Sequence, residues 1–200
     1  MIQRGDTLKE QAYTLIREKI MHQELPFGAR LNIADLAREF QISNSPIREA
    51  VSLLESRVLT LDKTSFGTLT QTIQVLLAGC YDDCVRHDRL ESLTALLSDR
   101  LTKQQAAFQE TASYDYACTA IDFDRSFVDA CNNAMLTRMF SSKFDLLALY
   151  TLYVYGDSPE QVRDNLQEHE RILTAVQKRE HDNVLELIAA HYAKANLVTL

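Results

Sequence analysis

The chain is 200 residues long, 46% apolar and 24% charged, which excludes a mainly disordered protein and leaves room for one large domain or two small ones. Its 5 glycines and 3 prolines are too few for a Gly-rich phosphate loop, a collagen-like repeat or an all-β sandwich. The net charge of −7 argues at first against nucleic acid, but residues 1–70 hold 9 Lys/Arg and 9 Asp/Glu while residues 71–200 hold 12 and 19, so two modules with different surfaces are expected. No apolar run reaches the roughly 18 residues that span a bilayer. The opening MIQRGDTLKE lacks the apolar core of a signal peptide, and a cytoplasmic location is expected. The four cysteines, Cys80, Cys84, Cys118 and Cys131, show no CxxC spacing and read as reduced thiols, three of them packing residues in helices.

In chain order, residues 6–23 place Leu8, Ala12, Leu15, Ile16, Lys19 and Ile20 at helical spacing, with Asp6 or Thr7 as the cap. Pro26 and Gly28 force a turn. A short helix over 33–40 follows, with Asn32 as its N-cap and Ile33, Leu36, Ala37 and Phe40 apolar. Gln41, Ile42 and Ser43 form a break. Ser45-Pro46 opens a third helix that runs to Arg57 and buries Ile47, Ala50, Val51 and Leu54. The period then changes: Leu59 and Leu61 alternate, Lys63–Gly67 makes a turn and Leu69 follows, which predicts a small two-stranded hairpin.

Helix, short helix, tight turn, helix and hairpin is the order of a winged helix-turn-helix. The third helix offers Asn44, Ser45, Arg48, Glu49 and Ser52 on a polar face suited to a major groove, its first-turn amides facing phosphate. A three-helix unit that only makes protein contacts is the alternative from pattern alone.

From Gln74 onward the period is helical throughout. Helices are predicted over 74–86, 88–109, 113–131, 133–155, 159–178 and 181–197, an antiparallel bundle. The expected domains are 1–72 and 73–200. Three polar residues occupy apolar stripes. Asp124 lies with Ala117, Ala120, Ile121 and Cys131; His169 with Val162, Leu166, Leu173 and Val176; His191 with Val184, Ile188 and Ala195. A buried carboxylate is costly unless paired or bound to metal. Two imidazoles and one carboxylate suit a divalent transition metal with open positions. Taken singly, each is equally readable as a hydrogen-bonded core residue, with Asp124 pairing with Arg89. Arg89 and Arg86, beside the apolar face of the 88–109 helix, are candidates for holding an acidic effector; a surface ion pair with Asp82, Asp83 or Glu91 is the ordinary reading of Arg86. Phe144, Tyr150, Tyr153 and Tyr155 read as core or dimer surface.

Residues 27–70 resemble the N-terminal domain of GntR-family transcription regulators, matching its pattern at Gly28, Arg30, Leu31, Leu36, Ala37, Ile42, Ser43, Pro46, Ile47, Arg48, Glu49, Ala50, Val51 and Gly67. The resemblance implies that Ser43, Asn44, Ser45 and Arg48 lie at the DNA surface and that Ser65, Phe66 and Gly67 form the wing. The family usually has Arg where this chain has Asn44. Arg reads guanine and Asn pairs better with adenine, so a different base is expected there.

Residues 123–136, 168–176 and 181–195 are similar to the helical FCD ligand-binding domain of the FadR-like subgroup. That resemblance implies a homodimer on an inverted-repeat operator and a bundle that senses a small acidic metabolite, with or without a divalent metal such as Zn, Ni or Mn. The subgroup's ligands are an Asp-x-x-x-His pair and two further histidines. Here His169 and His191 are retained, Ala120 stands at the Asp position and Asp124 at the pair's His position. Three ligands remain in place of four. The function expected is a ligand-responsive, DNA-binding transcription regulator and not an enzyme. The alternatives are a metal-dependent enzyme, which lacks an evident nucleophile, and an interaction module that does not bind DNA.

Overall fold

The computed structural model describes residues 7–22, 24–25, 31–57, 63–108, 113–155 and 158–193, with the backbone alone at 55–57, 63–66, 150 and 153–155. The described residues contain helices and no strand. The chain divides into two compact units, residues 1–61 and 62–200.

The first unit holds α1 (Leu8–Met21), α2 (Ile33–Phe40) and α3 (Asn44–Arg57). Thr7 and Glu10 start α1 with a reciprocal capping box, the Thr7 side chain accepting from the Glu10 amide and Glu10 accepting from the Thr7 amide. Asn32 caps α2, its Oδ1 accepting from the amides of Ala34 and Asp35. Gln41 ends α2 in the left-handed region at φ 56°, and the Ile42 amide folds back onto the Ala37 carbonyl at 3.1 Å. The turn is thereby closed in three residues. Helix α3 buries the four residues that its spacing predicts, Ile47, Ala50, Val51 and Leu54, and packs on α1, which buries Ala12, Ile16 and Ile20.

The second unit comprises α4 (Lys63–Arg86), α5 (Leu90–Ala107), α6 (Tyr114–Ala130), α7 (Ala134–Ser141), α8 (Phe144–Tyr155), α9 (Pro159–Gln177) and α10 (His181–Ala193). Helix α6 is central, packing against α4, α5, α7 and α8, and Phe123, Phe127 and Val128 on it are fully buried. Asp88, Asn132 and Arg179, each at positive φ, turn the chain after α4, α6 and α9. Asn133 and Ser158 cap α7 and α9. Cys80, Cys84 and Cys131 are buried thiols and Cys118 is partly buried, and burial pushes the Cys84 thiol up to about 12.

Two expectations need correction. The hairpin is not formed over its described part: residues 63–70 are the first turns of α4, which places Ser65, Phe66 and Gly67 in a helix and not in a wing turn. Leu59 and Leu61 lie outside the described residues. Two alternating leucines are too short a signal against the i, i+4 run of Leu69, Ile73 and Leu77, and extending an existing helix adds one hydrogen bond per residue fixed. The second correction is the predicted 133–155 helix, which breaks at Ser142-Lys143 into α7 and α8. Phe140 and Phe144 suggest continuity at i, i+4, but the intervening Ser141, Ser142 and Lys143 are all exposed, and the Lys143 amide closes a turn on the Phe140 carbonyl at 2.9 Å. Phe144 packs against the core; the side chains of Tyr150, Tyr153 and Tyr155 lie outside the described residues.

The core placement of Phe127 is directly testable. Phe127→Ala is expected to cost about 3–5 kcal/mol, read as a lowered urea midpoint of the second unit with little change in slope.

Candidate metal centre and nucleic-acid interface

In the first unit, Ser43, Asn44, Ser45 and Arg48 are all exposed around the start of α3. Arg48 has no ion-pair partner among the described residues. Glu49 is turned to its own helix, accepting at 3.5 Å from the Ser45 hydroxyl. An open groove between the α2 and α3 starts is lined by Asn32, Ala34, Asn44 and Arg48. The α3 start carries amides without intrahelical partners and the positive end of a dipole, a setting that favours phosphate, whereas Asn32 already engages the Ala34 and Asp35 amides of α2.

In the second unit, α6, α9 and α10 bring Asp124, His169 and His191 together, one ligand atom of each lying within 4.8 Å of the others. The three inward-facing residues of the sequence stripes therefore do converge, and all three are buried. His169 Nε2 lies 3.8 Å from Asp124 Oδ1, and His191 Nε2 lies 3.9 Å from Asp124 Oδ2. Neither distance is a hydrogen bond. The residues enclose a cavity of about 20 Å³ with Ala120, Ile121, Leu147, Thr151, Asn165 and Tyr192, enough for one ion or water and too small for a metabolite.

The electrostatics of this cluster are unbalanced. Burial pushes the Asp124 carboxyl above the ordinary carboxylate range, against the opposing pull of His191 and of the Tyr192 hydroxyl. Burial, aided by repulsion from His191, holds His169 well below its usual range, so the ring is neutral. His169 Nδ1 lies 2.6 Å from Gln104 Oε1, and that oxygen can only accept. His169 Nε2 is buried and without a hydrogen-bond partner, and with Gln104 Oε1 as the acceptor the ring proton would sit on Nδ1. His191 Nδ1 contacts Glu168 Oε2 at 2.8 Å, which leaves its Nε2 on the Asp124 side. Tyr192 donates to Asp124 Oδ2 at 2.6 Å, and Phe123 stacks on His169 with centroids 4.1 Å apart. The two Nε2 atoms and the carboxylate face one another across one small space. That is the donor set of a cation site, two imidazoles and a carboxylate with outer partners fixing both rings.

The outer partners are residues that the stripe reading of the sequence does not single out. Gln104 continues the α5 stripe of Leu90, Leu93, Leu97 and Leu101, and Asn165 continues the α9 stripe from Val162. Both are polar side chains at apolar positions, the same signal that marks Asp124. Glu168 and Tyr192 carry no such mark, since each is simply the chain neighbour of a histidine.

The two arginines lie elsewhere. Arg89 donates to Asp83 Oδ2 at 3.0 Å and to the Cys131 carbonyl at 2.6 Å, bracing the α4–α5 corner against the end of α6. It is therefore not the partner of Asp124. Arg86 is exposed and bonds the Asp82 carbonyl of its own helix at 3.3 Å. Neither lines the cavity. Arg100 also ties helices together, bonding the Asp122 carbonyl at 2.9 Å and pairing with Asp129.

These two units are matched by two family models. Residues 8–67 match the gntR family of bacterial regulatory proteins and residues 69–194 match the FCD domain. The chain belongs to the gntR-family transcription regulators that carry an FCD domain: a DNA-binding regulator with a helical C-terminal domain. It is 26% identical over 195 residues to the HTH-type transcriptional regulator YdhC of Bacillus subtilis (strain 168), covering 91% of this chain and 86% of that one. Among solved structures it shares the fold of E. coli McbR/YncC, with TM-score 0.66, 18% identity and 94% of each chain covered. A transcriptional regulator GntR from Rhodococcus sp. RHA1 is similar at TM-score 0.67 and 15% identity, over 94% of this chain and 95% of that one. No helix among the described residues is long and apolar enough to cross a membrane.

The contact between Tyr192 and Asp124 gives a local test. Tyr192→Phe withdraws a donor from a buried carboxylate oxygen and is expected to cost about 1–3 kcal/mol, measured as a drop in the unfolding midpoint of metal-free protein. An unchanged midpoint would show that the hydroxyl contributes nothing to holding Asp124.

Proposed function

We propose that the chain is a cytoplasmic, effector-responsive transcription regulator, acting as a homodimer on an inverted-repeat operator, and that its second unit senses a small acidic metabolite at a centre built on Asp124, His169 and His191. The observation that carries this reading is the orphaned His169 Nε2, buried and facing a carboxylate. Asp124, His169 Nε2 and His191 Nε2 would hold a divalent transition ion such as Zn, Ni or Mn. When bound, that ion supplies positive charge to offset Asp124 and open positions suited to a carboxylate ligand.

The space at the centre limits how an effector would be sensed. A cavity of about 20 Å³ admits no metabolite unless side chains such as Leu147, Thr151 and Asn165 move, so binding would select a different packing of α6, α8 and α9. Such a coupling between packing and occupancy is what an allosteric sensor requires. On the DNA side, Ser43, Asn44, Ser45 and Arg48 are the groove-facing set. Asn44 is assigned to adenine, in place of the guanine that an arginine would read. Ser65, Phe66 and Gly67 are not assigned a wing role, because the described backbone there is helical. The reading is of a regulator without catalytic activity, since the enzyme and interaction-module alternatives have no observation that favours them.

Binding selection with the full chain on genomic fragments tests the reading. One inverted-repeat motif is expected, with an adenine dependence at the Asn44 position. Arg48→Ala is expected to weaken binding by about 1–3 kcal/mol if it reads a base, or uniformly with a salt slope lower by about 1 if it contacts phosphate. Absence of sequence-selective binding at low salt would refute the regulator reading.

A further inference from the structure

Behind His169 lies a closed polar network inside an otherwise apolar part of the bundle. Gln104, Tyr116, Asn165 and His169 are each buried, and come from α5, α6 and α9. Gln104 Nε2 donates to the Tyr116 hydroxyl at 3.1 Å and to Asn165 Oδ1 at 3.0 Å. The Tyr116 hydroxyl lies 2.8 Å from Asn165 Oδ1 and 3.0 Å from the Val162 carbonyl. All the acceptors on that side face the Gln104 amide nitrogen. Reversing this amide alone would set its oxygen against Asn165 Oδ1 and leave the NH2 group aimed at the ring. With Asn165 Oδ1 and the Tyr116 oxygen both accepting from Gln104 Nε2, Gln104 Oε1 is turned to His169 Nδ1 at 2.6 Å.

A buried network of four polar groups is costly unless every member is satisfied. This one satisfies Gln104 and the facing atoms of Asn165 and Tyr116, yet leaves a single atom over, His169 Nε2. The orphan is the end of the ring that faces Asp124 and the cavity. We propose that Gln104 is a positioning residue: held by Tyr116 and Asn165, it confines the His169 proton to Nδ1 and so keeps Nε2 as an unprotonated donor toward the Asp124–His191 centre. Without that acceptor, Nε2 would carry the proton and hydrogen-bond Asp124, closing the site with an internal pair. Gln104 thus decides whether the cluster is an open cation site or a self-satisfied core pair. The inference rests on the proposed cation centre for its use, but the position of the proton is a property of the metal-free chain.

Two readouts on the full chain test it. Nitrogen-15 spectra of the histidine rings in metal-free protein report the tautomer directly, with His169 assigned by comparison with His169→Asn. Zn²⁺ titration against a competing chelator reports affinity. The wild-type ring is expected as the Nδ1–H tautomer. Gln104→Met, close in volume but without the acceptor, is expected to shift it toward Nε2–H and to weaken Zn²⁺ binding about 10–100-fold. An Nε2–H ring in the wild type overturns the proposal whether or not the variants fold, as does a Gln104→Met variant with unchanged tautomer and affinity. A wild-type Nδ1–H ring that Gln104→Met alters, in a chain that binds no Zn²⁺, supports the positioning role and defeats the cation centre.

Discussion

A carboxylate and two imidazoles buried among apolar helices set the terms for the second unit. Asp124, His169 and His191 each cost free energy to remove from water, and none forms a hydrogen bond with another of the three. The neighbouring side chains relieve this only in part. Gln104 and Glu168 engage the outer nitrogens of the rings and Tyr192 engages one oxygen of Asp124, which leaves both Nε2 atoms turned toward Asp124. Two buried groups that could have neutralised each other by sharing a proton are held apart at almost 4 Å. A positive ion is the simplest group that makes such an arrangement favourable.

Helix α6 carries Asp124 beside the fully buried Phe123, Phe127 and Val128, which ties the carboxylate to the packed core. Ala120, a turn before Asp124 on the cavity wall, contributes space and no ligand. Three protein donors in place of four would leave more positions open to an exogenous ligand, in keeping with a sensor whose occupancy alters packing. The charge distribution completes the division of labour. The acidic excess lies after residue 70, and the neutral first unit has little bulk attraction to DNA. Base contacts from α3 and the symmetry of a dimer must then supply most of the operator affinity.

Much of this was legible from residue spacing. The buried face of α3, the caps at Thr7 and Asn32, the break at Gln41–Ser43 and the convergence of Asp124, His169 and His191 all follow from helical periodicity and cap chemistry. The failures are equally physical. Leu59 and Leu61 suggested a strand period over too few residues, and the longer helical period from Leu69 prevails for the described part of that segment. Phe140 and Phe144 kept step across a turn that three polar residues open. Charge alone makes Arg89 a candidate for an acidic effector, whereas its partners, Asp83 and the Cys131 carbonyl, come from a helix corner that no linear spacing reveals. Gln104 and Asn165 were visible as polar interruptions of apolar stripes, yet their meaning depends on which atoms they face across three helices.

The central claim is that the Asp124–His169–His191 cluster is completed by a divalent cation. Elemental analysis of protein purified without chelator and without a histidine tag measures this most directly, with His169→Ala carried in parallel. One equivalent of a transition metal per wild-type chain, lost in His169→Ala, is the predicted result. A folded wild-type chain with no stoichiometric metal, unable to take it up on addition, would contradict the account.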